Sequence, residues 1–214
     1  MAASPWPQIH AEREALIADL ADLDNAKWQT PSLCTGWTVH DVLGHMTATA
    51  RMTPPKFFAE LAQSGFKFNA MSDKDIRRET AGSPADTLSA FRSLRGATTH
   101  PPGPVDSMLG EAVIHSEDIR RPLFIIREYP AASVTRAADF LKRSNLLTGA
   151  KSRIAGLRLR ATDADWTTGD GPEVAGPAIS LLLAMTGRGA ALKDLSGEGV
   201  PALASRIPVR SPGG

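Results

Sequence analysis

Hydrophobic periodicity changes once along this chain, and that change limits the fold more than any other feature. Over the first 149 residues apolar side chains recur every three to four positions, in segments separated by Pro- and Gly-rich breaks. That is the pattern of amphipathic helices. Ile9, Leu16, Leu20 and Leu23 define a helix over 8–25. Val39, Val42, Leu43, Met46 and Ala50 define another over 38–52, with Thr38 and Asp41 spaced as a capping box and Pro54-Pro55 as its stop. Ser83-Pro84 opens a helix over 84–96, and a fourth over 105–121 closes before Pro122. Shorter helices fit 55–64 and 131–147, while 64–82 has no clear period. From Ile154 the pattern alternates: Ile154, Leu157 and Leu159 are interleaved with Arg158 and Arg160, as in a short strand. Gly169-Asp170-Gly171-Pro172 reads as a turn, 177–187 as a helix from Pro to Gly, and 199–206 as a last short helix. The chain is therefore expected to be mainly α with a small α+β part: a helical bundle over 1–149 and a small α+β domain over 150–214. The tail from Ile207 is expected to be mobile.

Several function classes fall away on composition. With 24 Lys plus Arg against 23 Asp plus Glu, the net charge of +1 offers no bulk electrostatic grip, so no nucleic acid partner is expected. The longest clearly apolar run, from Ala178 to Met185, falls far short of the roughly 20 residues that cross a bilayer. The first residues lack a charged segment followed by an apolar one, so no secretory signal is expected. One cysteine, Cys34, allows neither an internal disulfide nor a cysteine-based zinc site. The expectation is a cytoplasmic protein, monomer or homodimer, acting on small molecules.

The chemistry is carried by histidines. Glu111 lies four residues before His115, an offset of about 40° around a helix that puts both side chains on one face, one turn apart. Such a pair can bind a divalent cation, or can simply hydrogen-bond. A third ligand has to come from another helix, and His45 falls in the apolar register beside Val42, Leu43 and Met46. Taken alone, His45 also reads as a satisfied core histidine. His40 is five residues, about 140°, from His45 and is read as solvent-facing; His10 and His100 are read as surface residues. Two imidazoles, one carboxylate and an open position make a catalytic-type zinc site. Nickel, cobalt or ferrous iron suit the same ligands.

Two segments resemble a known family. Cys34-Thr35-Gly36-Trp37-Thr38-Val39-His40-Asp41-Val42-Leu43-Gly44-His45 is similar to the loop and second helix of the DinB-like, maleylpyruvate isomerase family of mycothiol-dependent enzymes. Gly110-Glu111-Ala112-Val113-Ile114-His115-Ser116-Glu117-Asp118-Ile119-Arg120-Arg121-Pro122 is similar to that family's second metal motif. The likeness continues through 144–160 and a small C-terminal domain at 161–205. It implies a DinB-like four-helix bundle with metal ligands at His45, Glu111 and His115. It also implies zinc as the metal, mycothiol of actinobacteria as thiol cosubstrate, and isomerisation or S-transfer on a small electrophile. Arg188, just after the apolar helix, is then the expected anchor for an anionic substrate, against a plain role at a helix C-terminus. A metal-dependent hydrolase on the same ligands and a non-catalytic metal-binding protein are the rival readings. One position departs from the family pattern: Phe124 stands where glycine is expected, and its ring could alter the turn or fill space near the pocket.

The remaining residues have plainer expectations. Cys34 is read as structural, with no base identifiable nearby. Trp28 and Trp37 are read as anchors of the loop to the bundle. Glu117 and Asp118 are read as exposed, with a role behind a histidine as the alternative. Arg158 and Arg160 face either an acidic substrate or water.

Overall fold

The computed structural model describes residues 3–146 and 148–208. Of the tail expected to be mobile, 209–214 lie outside the described residues. Contacts divide the chain into two compact units, Met1–Ile126 and Arg127–Gly214. The expected division at 149/150 left the helix at 131–147 with the bundle; that helix packs instead on the apolar helix of the second unit.

The first unit carries α1 (Trp6–Leu20), α2 (Val39–Ala50), α3 (Pro54–Gln63), α4 (Phe68–Glu79), α5 (Pro84–Ser93) and α6 (Asp106–Arg120). Helices α1, α2, α5 and α6 form the bundle, around Leu16, Leu20, Val42, Leu43, Phe91 and Ile119. Each such side chain contributes about 1.5–3 kcal/mol on burial, which outweighs the local capping of about 1 kcal/mol per helix. Capping still sets where two helices begin. At α2 the Thr38 hydroxyl accepts from Asp41 N at 3.2 Å and the Asp41 carboxylate accepts from Thr38 N at 2.8 Å. Ser83 and Asp86 repeat the arrangement at α5, with Pro84 at its first turn.

Helix α4 occupies the stretch with no legible period. Its buried stripe is narrow and half polar, Met71, Ser72, Asp75 and Ile76, so apolar spacing alone does not reveal it. It packs on α2 because Gly44 leaves room there. A Cβ on Gly44 would lie 2.6 Å from Thr80 Cγ2, a methyl pinned by the Thr80 hydroxyl bond to Ile76 O at 2.9 Å. Helix α3 packs on α4 and buries no side chain of its own. Its contacts are the rings of Phe57, Phe58 and Phe68 and the ion pairs of Glu60 with Lys56 and Arg78.

The chain leaves α6 through a left-handed residue. Phe124 has φ +58°; Phe124 N bonds Arg121 O at 3.1 Å and Ile125 N bonds Arg120 O at 3.0 Å. These two bonds make the Schellman end that glycine usually closes. The Phe124 ring is 91% exposed, so it fills no pocket; Leu123, one residue earlier, packs on the core instead. The left-handed geometry costs about 1–2 kcal/mol for a residue with a Cβ, partly offset by the extra backbone entropy of glycine in the unfolded chain. Phe124→Gly is accordingly expected to raise the unfolding free energy by about 0.5–1 kcal/mol in urea denaturation. A loss of stability would contradict this account of the turn.

The second unit carries α7 (Ala131–Leu141), α8 (Ala150–Arg153), β1 (Arg158–Ala161), β2 (Thr167–Thr168), β3 (Glu173–Gly176), α9 (Ala178–Met185) and α10 (Val200–Ala204). The sheet order is β2-β1-β3, with β1 antiparallel to β2 and parallel to β3. Leu159 on β1 and Val174 on β3 face the core, as do Leu181, Leu182 and Leu183 of α9. Gly169 has φ +74°, and a Cβ there would strike Leu157 O, so the expected turn requires glycine. Arg160 does not meet solvent alone; it bonds both carboxylate oxygens of Glu173, at 3.1 and 2.9 Å. Among the described residues no helix is long and apolar enough to cross a membrane.

Candidate metal centre

Three expected ligands come from two neighbouring helices of the first unit. His45 lies on α2, and Glu111 and His115 lie one turn apart on α6. Helices α2 and α6 pack directly, which brings the rings of His45 and His115 to a centroid separation of 5.0 Å at 75°. Glu111 has one carboxylate oxygen, Oε1, buried with no hydrogen-bond partner. An orphaned buried carboxylate oxygen is costly, and one turn from His115 it is placed to serve as a cation ligand. Burial pushes the Glu111 carboxyl above its ordinary range, while the nearby His115 and Arg13 oppose that shift. Burial, reinforced by His115 and opposed by Asp118, holds His45 down at a pKa of about 3. His45 is therefore neutral, the form in which imidazole binds metal. Its Nδ1 lies 3.4 Å from Ser72 Oγ on α4.

Behind His115 stands a layer that the sequence reading placed at the surface. Asp118 is fully buried and Glu117 nearly so, because α6 presents them to the bundle and to the loop before α2. Asp118 Oδ2 accepts from His115 Nδ1 at 2.9 Å and from Cys34 Sγ at 3.1 Å. Burial alone would lower the His115 pKa, but the bonds to Asp118 and Cys34 outweigh it and raise it to about 10. With Nδ1 committed to Asp118, Nε2 is the nitrogen a metal would take in place of its proton, the arrangement in which a carboxylate orients a ligating histidine. The ligand atoms of Cys34, His115 and Asp118 lie within 4.8 Å of one another, a tighter cluster than the expected trio. Their hydrogen bonds account for that closeness without a cation. Nor is the cluster a nucleophilic triad: Cys34 Sγ approaches His115 at Nδ1, 3.7 Å away, the same nitrogen Asp118 holds, whereas a triad uses both ring nitrogens.

Cys34 thus has an imidazole and a carboxylate beside it, contrary to the sequence reading. The separation of more than eighty residues hid both. The Asp118 role had a legible signal, the three-residue offset from His115 that puts the two on one helix face. The loop is held by Leu33 N to Asp118 O at 3.1 Å and Ser32 Oγ to Trp37 O at 2.8 Å. It carries the Trp37 ring to 5.1 Å from His45 and 6.5 Å from His115, so Trp37 both packs on the bundle and walls the histidines. His40 is buried rather than solvent-facing; its Nε2 lies 2.9 Å from Thr87 Oγ1 and its ring meets Trp28 edge-on. It is a satisfied core histidine. His10 stacks on Trp6, and His100 Nδ1 contacts Pro101 O. Arg188 belongs to the second unit, where its Nη1 donates to Thr186 O at 3.1 Å beside the cationic Arg153.

Residues 9–100 match the family described as the mycothiol maleylpyruvate isomerase N-terminal domain. The match includes Cys34, Trp37 and His45 and ends before α6. Two solved structures share the fold across 99% of both chains at 14% identity. One is a crystal structure of the mycothiol-dependent maleylpyruvate isomerase, with a TM-score of 0.55. The other is a histidine-to-alanine mutant of that enzyme, with a TM-score of 0.57. No curated protein sequence matches the chain.

Proposed function

We infer that this chain is a member of the mycothiol maleylpyruvate isomerase N-terminal domain family, whose model its residues 9–100 match. From that premise we propose that it is a metal-dependent isomerase that uses a low-molecular-weight thiol on a small conjugated electrophile. The observation that carries this reading is the orphaned Glu111 oxygen one turn from His115, whose ring lies 5.0 Å from that of His45.

His45, Glu111 and His115 are the residues that would hold the cation. The chemistry a divalent ion such as zinc would supply there is a lowered pKa for a thiol, which would favour its thiolate form near neutral pH. Asp118 keeps the His115 proton on Nδ1 and fixes the ring. Ser72 steadies His45 from the other side. Trp37 covers part of the two imidazoles, and partial shielding from water strengthens their electrostatics. Arg188, within the second unit, carries a guanidinium of the kind that grips a carboxylate bidentately. Addition of thiolate to a conjugated double bond, rotation about the resulting single bond and elimination of the thiol return the cofactor unchanged.

The test is elemental analysis of the protein as isolated, followed by turnover of maleylpyruvate with and without mycothiol. One equivalent of metal and strictly thiol-dependent isomerisation are expected. Protein that stays metal-free after zinc addition ends the proposal, and turnover surviving complete thiol removal points to water as the nucleophile. Asp118→Asn is expected to lower metal affinity by about 10–100-fold while preserving the fold, as read by competition with a chelating indicator. Unchanged affinity would remove Asp118 from the site.

A further inference from the structure

We infer a second ligand site, within the C-terminal unit: a cationic pocket for a small organic oxyanion, with a phosphate or carboxylate head on an apolar body. The cavity measures about 420 Å³, within the range of small-molecule sites. Lys142 and Arg143 at the end of α7 and Lys151 on α8 converge on it, Ile154 and Leu157 supply an apolar wall, and Thr168 adds a hydroxyl. No Asp or Glu lines it.

The charge there is largely unspent. Lys142 is paired with Asp139 at 2.6 Å, and its ammonium also lies over the Trp166 ring. Arg143 and Lys151 are exposed and form no ion pair among the described residues. Other cations of the unit are committed: Arg160 to Glu173, and Arg153 and Arg206 to backbone carbonyls. Residues 127–214 hold twelve Lys and Arg against eight Asp and Glu, and three of those cations line one cavity. Three cations against the single carboxylate of Asp139 leave a net positive charge, which favours an anion between them. The apolar wall favours one that carries carbon rather than a bare inorganic ion. Nothing in this argument uses the histidine site, so the two stand or fall separately.

The test is calorimetric titration of the full chain with phenyl phosphate and with phenylacetate, and with benzyl alcohol as the neutral control. Saturable binding of one anion per chain is expected, and the tighter of the two assigns the head group. Arg143→Gln and Lys151→Gln are each expected to weaken it by about ten-fold, the loss of one charge-assisted contact. Arg158→Gln, exposed and outside the cavity, is expected to change it by less than about two-fold. Thermal melts of the variants confirm that the fold is kept. No saturation by about 10 mM ligand, equal binding of benzyl alcohol, or equal weakening by Arg158→Gln would overturn the site.

Discussion

His45→Ala is expected to fold normally and to hold less than about a tenth of an equivalent of metal, with turnover down by more than 100-fold. The size follows from the geometry. A residue behind a ligand costs about 10–100-fold when removed, and loss of a ligand itself exceeds that. Alanine at 45 leaves the bundle core intact, because Val42, Leu43 and Met46 carry the packing of α2. It also leaves His115 and Asp118 bonded to each other. Circular dichroism and melting temperature should therefore stay close to those of the parent while metal content and turnover collapse together. Full retention of metal would show that the cation is held by a set without His45, the Cys34, His115 and Asp118 cluster being the alternative.

The second large effect concerns stability alone. Arg120 on α6 has no exposed side-chain surface, and its Nε donates to Asp19 Oδ2 at 2.7 Å. Removing one partner of a buried ion pair costs about 3–5 kcal/mol because the other charge is left unpaired. Asp19 is 30% exposed and water partly screens it, so about 2–3 kcal/mol is expected for Asp19→Ala in equilibrium denaturation. Arg120→Met added to that variant should recover part of the loss, since it removes a buried charge that has lost its bond to Asp19. A single-variant change within about 0.5 kcal/mol would show that other neighbours of Arg120 satisfy it without Asp19.

Much of this was legible in the residues, and the gaps have physical reasons. Regular apolar spacing at Val39, Val42, Leu43 and Met46 and punctuation at Ser83-Pro84 revealed bundle helices, because both signals are local. The pairing of Glu111 with His115 was legible for the same reason. Helix α4 was not, since its buried stripe includes Ser72 and Asp75 and its place depends on the absence of a side chain at Gly44. Cys34 beside Asp118, and Asp19 beside Arg120, join distant segments that no spacing rule connects. His40 looked exposed because its offset from His45 was read as pointing outward, whereas α5 covers that side through Thr87. The family pattern located the glycine position at Phe124 correctly in backbone terms: the left-handed turn is present, with phenylalanine enduring it.

Helix α3 combines peripheral placement with the lack of any buried side chain. Its detachment would expose little apolar surface that is not already wet, so local unfolding there draws on only a small part of the global stability. Amide hydrogens of that segment should exchange with deuterated solvent well before those of the bundle, and an added protease would meet its first opened backbone there.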